Sequence, residues 1–326
     1  MTGGQDLKFL FVGIMIVLAL IGRVDRDDYQ KTALQNNIQD TSLAAAPFSQ
    51  AKPPSLKPQL AQNLESLTSE IIPLIPYRKD WNQAEPELKV KAAIAKDLDL
   101  DSDFYRSNAE ARWPLASLTK LMTAVVALEE VGLDKIATVS KTAVDSEGPA
   151  GNLAVDEQYL INDLVKAMLV VSSNDAAAAI AEFYGRENFV ETMRKKAADL
   201  EMFQTSFVDS TGLSFLNQGT ISDLEKLIKY IYKKRPEIFN LTRQESAIIK
   251  EISKNLSKDL VNINNFAGRQ DFWGGKTGFT DQAGGNLISI FDYRGHKVLI
   301  IVLGTEDRFG QTEVLYNWIK SSYEFN

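Results

Sequence analysis

The stretch GGNLISIFDYRGHKVLIIVLGT, residues 284–305, consists of two apolar runs joined by the dipeptide Arg294-Gly295. A short connection that contains glycine, between two runs rich in β-formers, is typical of an antiparallel hairpin. We therefore predict two adjacent strands, over 284–293 and 296–305. Another strand is predicted far upstream, in ELKVKAAIAKDLD (87–99), where apolar residues alternate around Val90, Ala92 and Ile94.

Between these strands the sequence has the apolar spacing of helices. The segment ASLTKLMTAVVALEE (116–130) is apolar nearly all round, so its helix is expected to be central. Further helices are predicted over 161–171, 176–185, 221–234 and 312–323. Strands near both ends with helices between them indicate an α+β domain, in which an antiparallel β-sheet is packed by helices.

The composition excludes several classes of protein and of site. The chain has 326 residues, a net charge of −7, no cysteine and one histidine. An acidic chain lacks the basic face that meets nucleic-acid phosphates, so we predict no nucleic-acid partner. Without cysteine there is no disulfide or thiolate nucleophile, and one imidazole cannot build a multi-histidine zinc site. His296 lies in the polar turn of the hairpin and is predicted to be solvated, so we expect chemistry without imidazole and without a metal or cofactor.

The N-terminal part has a different character from the rest of the chain. Its unbroken apolar run, from Phe9 to Gly22, is shorter than the roughly 20 residues of a spanning helix and long enough for a signal-peptide core. Because no small-x-small cleavage site follows closely, an uncleaved membrane anchor over residues 1–24 is favoured over a cleaved signal. Residues 25–69, rich in Pro, Gln and Ser, are predicted to be a flexible tether. Residues 70–326 then form one exported globular domain.

Three short polar motifs follow one another along this domain. They are Ser117-Leu118-Thr119-Lys120, Ser172-Ser173-Asn174 and Lys276-Thr277-Gly278. Each motif alone is a weak signal, because similar tripeptides and tetrapeptides are common on surfaces and in turns. Their occurrence together, in this order, is the pattern of penicillin-binding proteins and β-lactamases.

Elementary chemistry explains why these residue types belong together. Residues three apart on a helix share a face, so the Lys120 amine can reach the Ser117 hydroxyl. A serine becomes a good nucleophile when a neighbour takes its proton, and a lysine can do so only when it is neutral. Burial and a second cation, here Lys276, favour the neutral form by lowering the lysine pKa. The backbone N–H groups of Ser117 and Phe279 could stabilise an oxyanion, and Ser172 could serve as a proton relay.

The sequence resembles the serine-type D-Ala-D-Ala carboxypeptidases, the low-molecular-mass penicillin-binding proteins of peptidoglycan metabolism. The resemblance covers about residues 88–322 and includes YRSNAEARWPLASLTKLMTAVVALE, LVKAMLVVSSNDAAAAIAE and GGKTGFTDQAGGNLI. It implies the β-lactamase/penicillin-binding-protein-like transpeptidase fold with a helical subdomain, and it makes residues 70–326 a serine D,D-peptidase catalytic domain. The enzyme would be extracytoplasmic and anchored to the bacterial cytoplasmic membrane by its N-terminal segment.

The resemblance also implies a role for each motif residue. Ser117 would be acylated by the penultimate D-Ala of a muropeptide stem, with Lys120 as general base. Ser172 and Lys276 would pass a proton to the leaving D-alanine. The substrate-binding residues would be Asn174, Lys276, Thr277, Gly278 and Phe279. Muropeptides would be substrates, and β-lactam antibiotics would be covalent inhibitors.

Two positions match the family less well. Where such enzymes commonly have T-x-F-x-N-P-x-G, this chain has TSFVDSTGL, with Asp209 and Ser210. We expect this difference to affect a structural loop more than the catalysis. Arg308 resembles a family position near the substrate carboxylate, but an exposed loop arginine is an equally good interpretation.

Three other functions compete with the carboxypeptidase. A D,D-endopeptidase that cleaves peptidoglycan cross-links would use the same chemistry with a different leaving group. A class A β-lactamase would need a deacylating glutamate after the S-x-N motif in an E-x-x-L-N context, and the nearest relative, Glu157, comes before Ser172. A catalytically silent wall-binding module would have no need of the complete set of catalytic residues.

Overall fold

The computed structural model describes residues 75–146, 148 and 151–325. The segments 1–24 and 25–69, for which we predict an anchor and a tether, lie outside the described residues. Within the described part, no helix combines the length and the apolar character needed to cross a membrane.

A five-stranded antiparallel sheet forms the centre of the domain. Its strands, in spatial order, are β10 (Phe272–Thr280), β11 (Gly284–Tyr293), β12 (His296–Thr305), β2 (Ala92–Asp97) and β3 (Ser102–Ser107). The hairpin of β11 and β12 has the predicted bounds, with Tyr293 opposite His296 across the turn. The upstream strand is shorter than predicted. It is also buried along its whole length, because it pairs with strands on both sides and helices cover the sheet.

Short strand pairs complete the β-structure. They are β1 (Tyr77–Arg78) with β13 (Tyr323–Glu324), β4 (Trp113–Pro114) with β7 (Gln218–Gly219), β5 (Ile136–Thr138) with β6 (Gln158–Leu160), and β8 (Ser246–Glu251) with β9 (Leu256–Val261).

The helices follow the apolar periodicity of the sequence. The α-helices of the described residues are α1 (Lys120–Val126), α2 (Lys141–Val144), α3 (Ile161–Val170), α4 (Asn174–Tyr184), α5 (Arg186–Asp199), α6 (Ile221–Lys234), α7 (Pro236–Thr242) and α8 (Arg308–Ser322). The prediction for 221–234 is confirmed to the residue. The predicted helix 116–130 is central, as expected, but it changes type along its length. A 3₁₀ turn over Ala116–Thr119 precedes α1, and a π turn over Ala127–Val131 follows it.

Both faces of the sheet are buried, which explains the continuous apolar run of β12. Alternate residues of a strand point to opposite faces. Leu299 and Ile301 belong to the larger core, formed with α1, α3, α4 and α6, whereas Val298 and Ile300 belong to a smaller core with α8. Helices therefore cover an antiparallel sheet on both sides, and the α+β prediction with a helical subdomain is confirmed.

The prediction that the His296 side chain is solvated is wrong. The residue does begin β12 directly after the turn, but its side chain is only 11% exposed and its Nδ1 lies 2.7 Å from Oδ2 of the fully buried Asp97. Its ring also packs edge-on against Phe325. The turn was predicted correctly from its residues. The His296 side chain is nevertheless covered by Asp97 of the neighbouring strand β2 and by Phe325. It lies away from the three motifs and takes no part in the site described next.

Candidate active site

Ser117 lies on the 3₁₀ turn, and Lys120 is the first residue of α1. Lys120 has no exposed surface, and its Nζ donates to Ser117 Oγ at 2.9 Å. Burial lowers the pKa of Lys120 to about 7, although the Asp209 carboxylate acts in the opposite direction. A substantial fraction of the amine is therefore neutral near neutral pH, and in that state its lone pair can accept the serine proton.

The amine of Lys120 is held by two further acceptors. Nζ donates to Oδ1 of Asn174 at 2.6 Å and to the backbone carbonyl of Thr211 at 2.6 Å. Asn174 is the first residue of α4, so the second motif enters the site directly next to the first. These contacts fix the position of a long side chain that would otherwise have many rotamers.

Ser172 occupies the bend between α3 and α4, in a left-handed backbone conformation with φ of 60°. Such a conformation is strained for a residue with a side chain, and it persists only where the surroundings enforce it. Nζ of Lys276 donates to Ser172 Oγ at 2.9 Å and to the carbonyl of Thr277 at 2.9 Å. The second and third motifs are therefore in direct contact.

Lys276 is almost completely buried, with 2% of its surface exposed. Burial lowers its pKa well below the usual range, and the charges of Lys120 and Arg308 lower it further. From the sequence, the charge of Lys276 is predicted to lower the pKa of Lys120. In the structure, burial alone accounts for the lowered pKa of Lys120. The repulsion between the two cations lowers the pKa of Lys276 instead.

Strand β10 carries the third motif along the edge of the sheet and passes close to the nucleophile. A Cβ on Gly278 would lie 3.1 Å from the Leu115 carbonyl oxygen and 3.3 Å from the Ser117 nitrogen. Glycine therefore allows the strand to approach the 3₁₀ turn. Phe279, the next residue, is 62% exposed, so its side chain is free to border the cleft.

The motif residues meet in one cleft of about 640 Å³. Its lining includes Ser117, Ser172, Asn174, Thr277, Gly278, Phe279 and Arg308. Another groove of about 610 Å³ runs along residues 88–91 and 304–307 and contains none of the motif residues. Within the part of the chain that the structure describes, no group of three or more His, Cys, Asp or Glu side chains could hold a metal ion.

Two interpretations of Arg308 follow from the sequence, and the structure places the residue at the cleft. The residue is the first of α8, and its Nη1 donates to the carbonyl of Gly278 at 2.8 Å. Its guanidinium thus lies beside the third motif, where it adds positive charge near Lys276. The interpretation of Arg308 as an exposed loop residue is wrong.

The loop 209–214 contributes to the site, although the difference at Asp209 is predicted to affect structure more than catalysis. Oδ1 of Asp209 accepts hydrogen bonds from the backbone N–H of Thr211 at 2.7 Å and of Gly212 at 2.6 Å, and Oδ2 accepts from that of Ser214 at 3.0 Å. The loop shaped in this way presents the Thr211 carbonyl to Lys120. The glycine in TSFVDSTGL is the sequence feature that could have identified this loop as part of the site, because Gly212 packs directly against Ala116.

Glu157, the nearest candidate for a deacylating glutamate, lies outside the cleft. Its carboxylate accepts hydrogen bonds from Lys258 Nζ at 2.7 Å and from the Tyr159 hydroxyl at 2.8 Å, and both partners hold it in place. Among the described residues that line the cleft there is no Asp or Glu. The observed position of Glu157 is therefore no basis for class A β-lactamase chemistry.

Comparisons with known proteins show which family the chain is similar to. A family model for D-alanyl-D-alanine carboxypeptidases, peptidase family S11, matches residues 79–307. The chain is 31% identical over 250 residues to the D-alanyl-D-alanine endopeptidase of Escherichia coli K12, an alignment that covers 73% of this chain and 79% of the relative. It is 28% identical over 255 residues to the D-alanyl-D-alanine carboxypeptidase DacF of Bacillus subtilis, with 72% and 63% covered.

The fold is also found among solved structures. Penicillin-binding protein D2 from Listeria monocytogenes, in its ampicillin-bound form, superposes with a TM-score of 0.62 at 29% sequence identity. The match covers 73% of this chain and 100% of that protein. The described domain thus has the fold of the penicillin-binding proteins.

Proposed function

Because the chain belongs to the D-alanyl-D-alanine carboxypeptidase family of serine hydrolases, we propose that it removes the terminal D-Ala of peptidoglycan stem pentapeptides through an acyl-enzyme on Ser117. The observation that carries this proposal is the buried Lys120 amine, which is hydrogen-bonded to Ser117 Oγ at 2.9 Å. Ser117 shares its cleft with Ser172, whose Oγ accepts from Lys276 Nζ. A serine next to a base of lowered pKa is the arrangement of an activated nucleophile.

In the acylation step, Ser117 Oγ attacks the carbonyl carbon of the penultimate D-Ala. Neutral Lys120 takes the hydroxyl proton as the new C–O bond forms. The carbonyl oxygen becomes an oxyanion, and the backbone N–H groups of Ser117 and Phe279 would stabilise it as hydrogen-bond donors.

The tetrahedral intermediate then expels the terminal D-Ala, whose nitrogen needs a proton. The contact between Lys276 Nζ and Ser172 Oγ supports a relay in which Ser172 donates this proton and receives another from Lys276. The C–N bond breaks and the ester on Ser117 remains. Before deacylation, Lys120 releases the proton that it took from Ser117 and Lys276 regains one, both by exchange with solvent. Neutral Lys120 then takes a proton from the water that attacks the ester carbonyl and returns it to Ser117 Oγ as the ester C–O bond breaks, which releases the shortened stem peptide and free Ser117.

The remaining cleft residues bind the substrate. The terminal carboxylate is held by Lys276 and the hydroxyl of Thr277, with the Arg308 guanidinium adding positive charge nearby. The side-chain amide of Asn174 binds a substrate amide. Extended peptide can add to the edge of the sheet at Gly278 and Phe279, because β10 has a neighbour on only one side within the five-stranded sheet.

Cleavage of cross-links is the second candidate function. It is favoured by the E. coli relative named an endopeptidase, which is 31% identical and covers 73% of this chain, compared with 28% identity for the carboxypeptidase DacF. The catalytic steps are the same, and only the leaving amine differs. The two activities therefore have to be separated by substrate.

Product analysis tests the function. The full-length protein, purified in detergent, is incubated with a pentapeptide stem and separately with a cross-linked muropeptide dimer, and the products are identified by mass. A carboxypeptidase releases one D-alanine from the pentapeptide, and an endopeptidase converts the dimer into monomers. Ser117→Ala is the control and should lose both activities and covalent labelling by fluorescent penicillin. Labelling of Ser117→Ala would show that another residue is the nucleophile.

The domain organisation is part of the proposal. Residues 1–24 would anchor the protein in the cytoplasmic membrane, residues 25–69 would be a tether, and the catalytic domain 70–326 would work outside the cytoplasm on peptidoglycan. The apolar run from Phe9 to Gly22, followed by a Pro-, Gln- and Ser-rich segment, supports this arrangement. Membrane fractionation of the chain with and without residues 1–24 tests it, because only the complete chain should sediment with membranes.

A further inference from the structure

The proposed oxyanion hole takes its two donors from segments that are far apart in the sequence. One donor is the N–H of Ser117 on the 3₁₀ turn, and the other is the N–H of Phe279 on β10. Two donors can stabilise the same oxygen only if the distance between their segments is fixed, because a displacement of about 1 Å can reduce a rate about 100-fold. The contacts between these segments therefore matter for the chemistry.

Asn286 lies on β11, opposite Gly278 and next to the pair Phe279–Gly285. Its side chain is fully buried. Nδ2 donates to the carbonyl oxygens of Pro114 at 2.9 Å and Leu115 at 3.2 Å. Oδ1 accepts from the N–H of Gly304 at 2.9 Å. Both N–H bonds and the carbonyl oxygen are thus used, and the opposite orientation of the amide would place Oδ1 against two carbonyls.

The two carbonyls that Asn286 holds come directly before a strained part of the chain. Ala116, between Leu115 and Ser117, has a left-handed φ of 49°. A residue with a side chain keeps this conformation only where its surroundings hold it. The close approach of Gly278 to Ser117 N also requires the segment to lie against the strand at that point.

We propose that Asn286 is a positioning residue for the oxyanion hole: its side-chain amide holds the segment that leads into Ser117 against the strand pair that carries Phe279. The inference rests on the proposed function, since it assigns a supporting residue to the same acyl transfer. Asn286 touches neither the nucleophile nor its base in the described contacts, so its effect on the reaction passes through the backbone.

Two variants and one control test the proposal. Asn286→Asp keeps the size of the side chain but places carboxylate oxygens against two carbonyls. Asn286→Ser leaves room for a water molecule to replace the amide and keeps the variant foldable if the carboxylate is not tolerated. Ser289→Ala is the matched control, because Ser289 is equally buried on the same strand and its Oγ has no hydrogen-bond partner among the described residues.

The full-length variants are compared by stopped-flow acylation with a chromogenic penicillin, which separates the initial binding constant from the acylation rate constant. We expect the acylation rate constant to fall about 10- to 100-fold, less than or similar to the loss of one oxyanion donor, with the initial binding constant within about two-fold. The carbonyl stretching frequency of the penicilloyl-enzyme should rise, because its hydrogen bonds in the oxyanion hole weaken. Ser289→Ala should match the wild type in all three measurements.

Several outcomes would overturn the proposal. A folded Asn286 variant with the wild-type acylation rate and carbonyl frequency would give Asn286 no role in the oxyanion hole. Loss of the fold in both variants while Ser289→Ala remains folded would assign the residue to stability alone. A wild-type protein that is not acylated on Ser117 by mass would instead reject the proposed function, so the two failures are distinguishable.

Discussion

At the scale of single residues, Lys120 has to be neutral before it can accept the Ser117 proton. Its full burial and a pKa lowered to about 7 meet this condition near neutral pH. We predict that Lys120→Arg reduces acylation by penicillin at least about 1,000-fold, because a guanidinium stays protonated and cannot act as a base. Labelling with fluorescent penicillin measures this, with the thermal unfolding temperature as the control for folding. Wild-type acylation by a folded Lys120→Arg protein would remove the general-base role.

Asp209 gives a prediction for the pH dependence. Its carboxylate favours the charged form of Lys120, whereas burial opposes that form. The wild-type acylation rate should therefore fall as the pH drops through about 7, where Lys120 becomes protonated. Asp209→Asn removes the negative charge, so the pKa of Lys120 falls and the acidic limb of the pH profile moves to lower pH.

The matched control for that shift is Asp292→Asn. Asp292 is a half-buried carboxylate at the far end of β11, paired with Lys297 at 2.7 Å. This variant removes the same charge far from Lys120 and should leave the profile unchanged. Through Oδ1, asparagine at 209 can still accept from the N–H groups of Thr211 and Gly212. It loses the bond from the Ser214 N–H to Oδ2, so the unfolding temperature of Asp209→Asn is measured together with the pH profile. An acidic limb that stays in place or moves to higher pH would contradict the electrostatic role.

At the scale of elements, the loop 209–214 and the 3₁₀ turn meet at Gly212. This glycine has φ of +84°, and a Cβ added to it would lie 1.9 Å from the Ala116 carbonyl oxygen. We predict that Gly212→Ala displaces the loop, withdraws the Thr211 carbonyl from Lys120, and reduces both stability and acylation. Acylation rates and the unfolding free energy measure the two effects.

Gly295 is the control for Gly212, because it has the same φ of +84° with nothing within 4 Å of an added Cβ. Gly295→Ala therefore carries the backbone strain without the clash, and should lower the unfolding free energy by only about 1 kcal/mol at unchanged acylation. Equal effects of the two substitutions would mean that backbone strain, and not the contact with Ala116, decides the result.

Some elements of the fold can be predicted from the sequence, and others cannot. The hairpin and helix 221–234 could be predicted, because turn chemistry and apolar spacing are local signals. The changes of helix type at Lys120 and at Ala127 could not, because the apolar spacing of this segment is the same on both sides of each change. The contact of Thr211 with Lys120 has no sequence signature, because every residue has a carbonyl. The three motifs predicted a common site, and their residues are indeed adjacent, while the roles assigned to them remain predictions.

At the scale of the whole described domain, the central sheet is shared by two cores. Phe291 on β11 stacks on Tyr316 of α8 with ring centroids 4.2 Å apart, and it is completely buried in the smaller core. Its strand neighbour Ile290 faces the larger core, on the side of the sheet that packs against the 3₁₀ turn, α6 and α7. Because the motifs lie on β10, on the 3₁₀ turn and between α3 and α4, the site depends on both cores through one sheet.

This arrangement predicts that the domain loses its fold and its site together. Phe291→Ala removes the stacked ring from the smaller core and should lower the unfolding free energy by about 3–5 kcal/mol, although the side chain does not line the cleft. Urea unfolding should still show one transition, and far-UV circular dichroism and penicillin labelling should be lost at the same midpoint. The matched substitution Leu169→Ala, in the larger core, should shift that single transition in the same direction. Two separate transitions, with labelling preserved after the first, would mean that the cores fold independently and that α8 does not support the site.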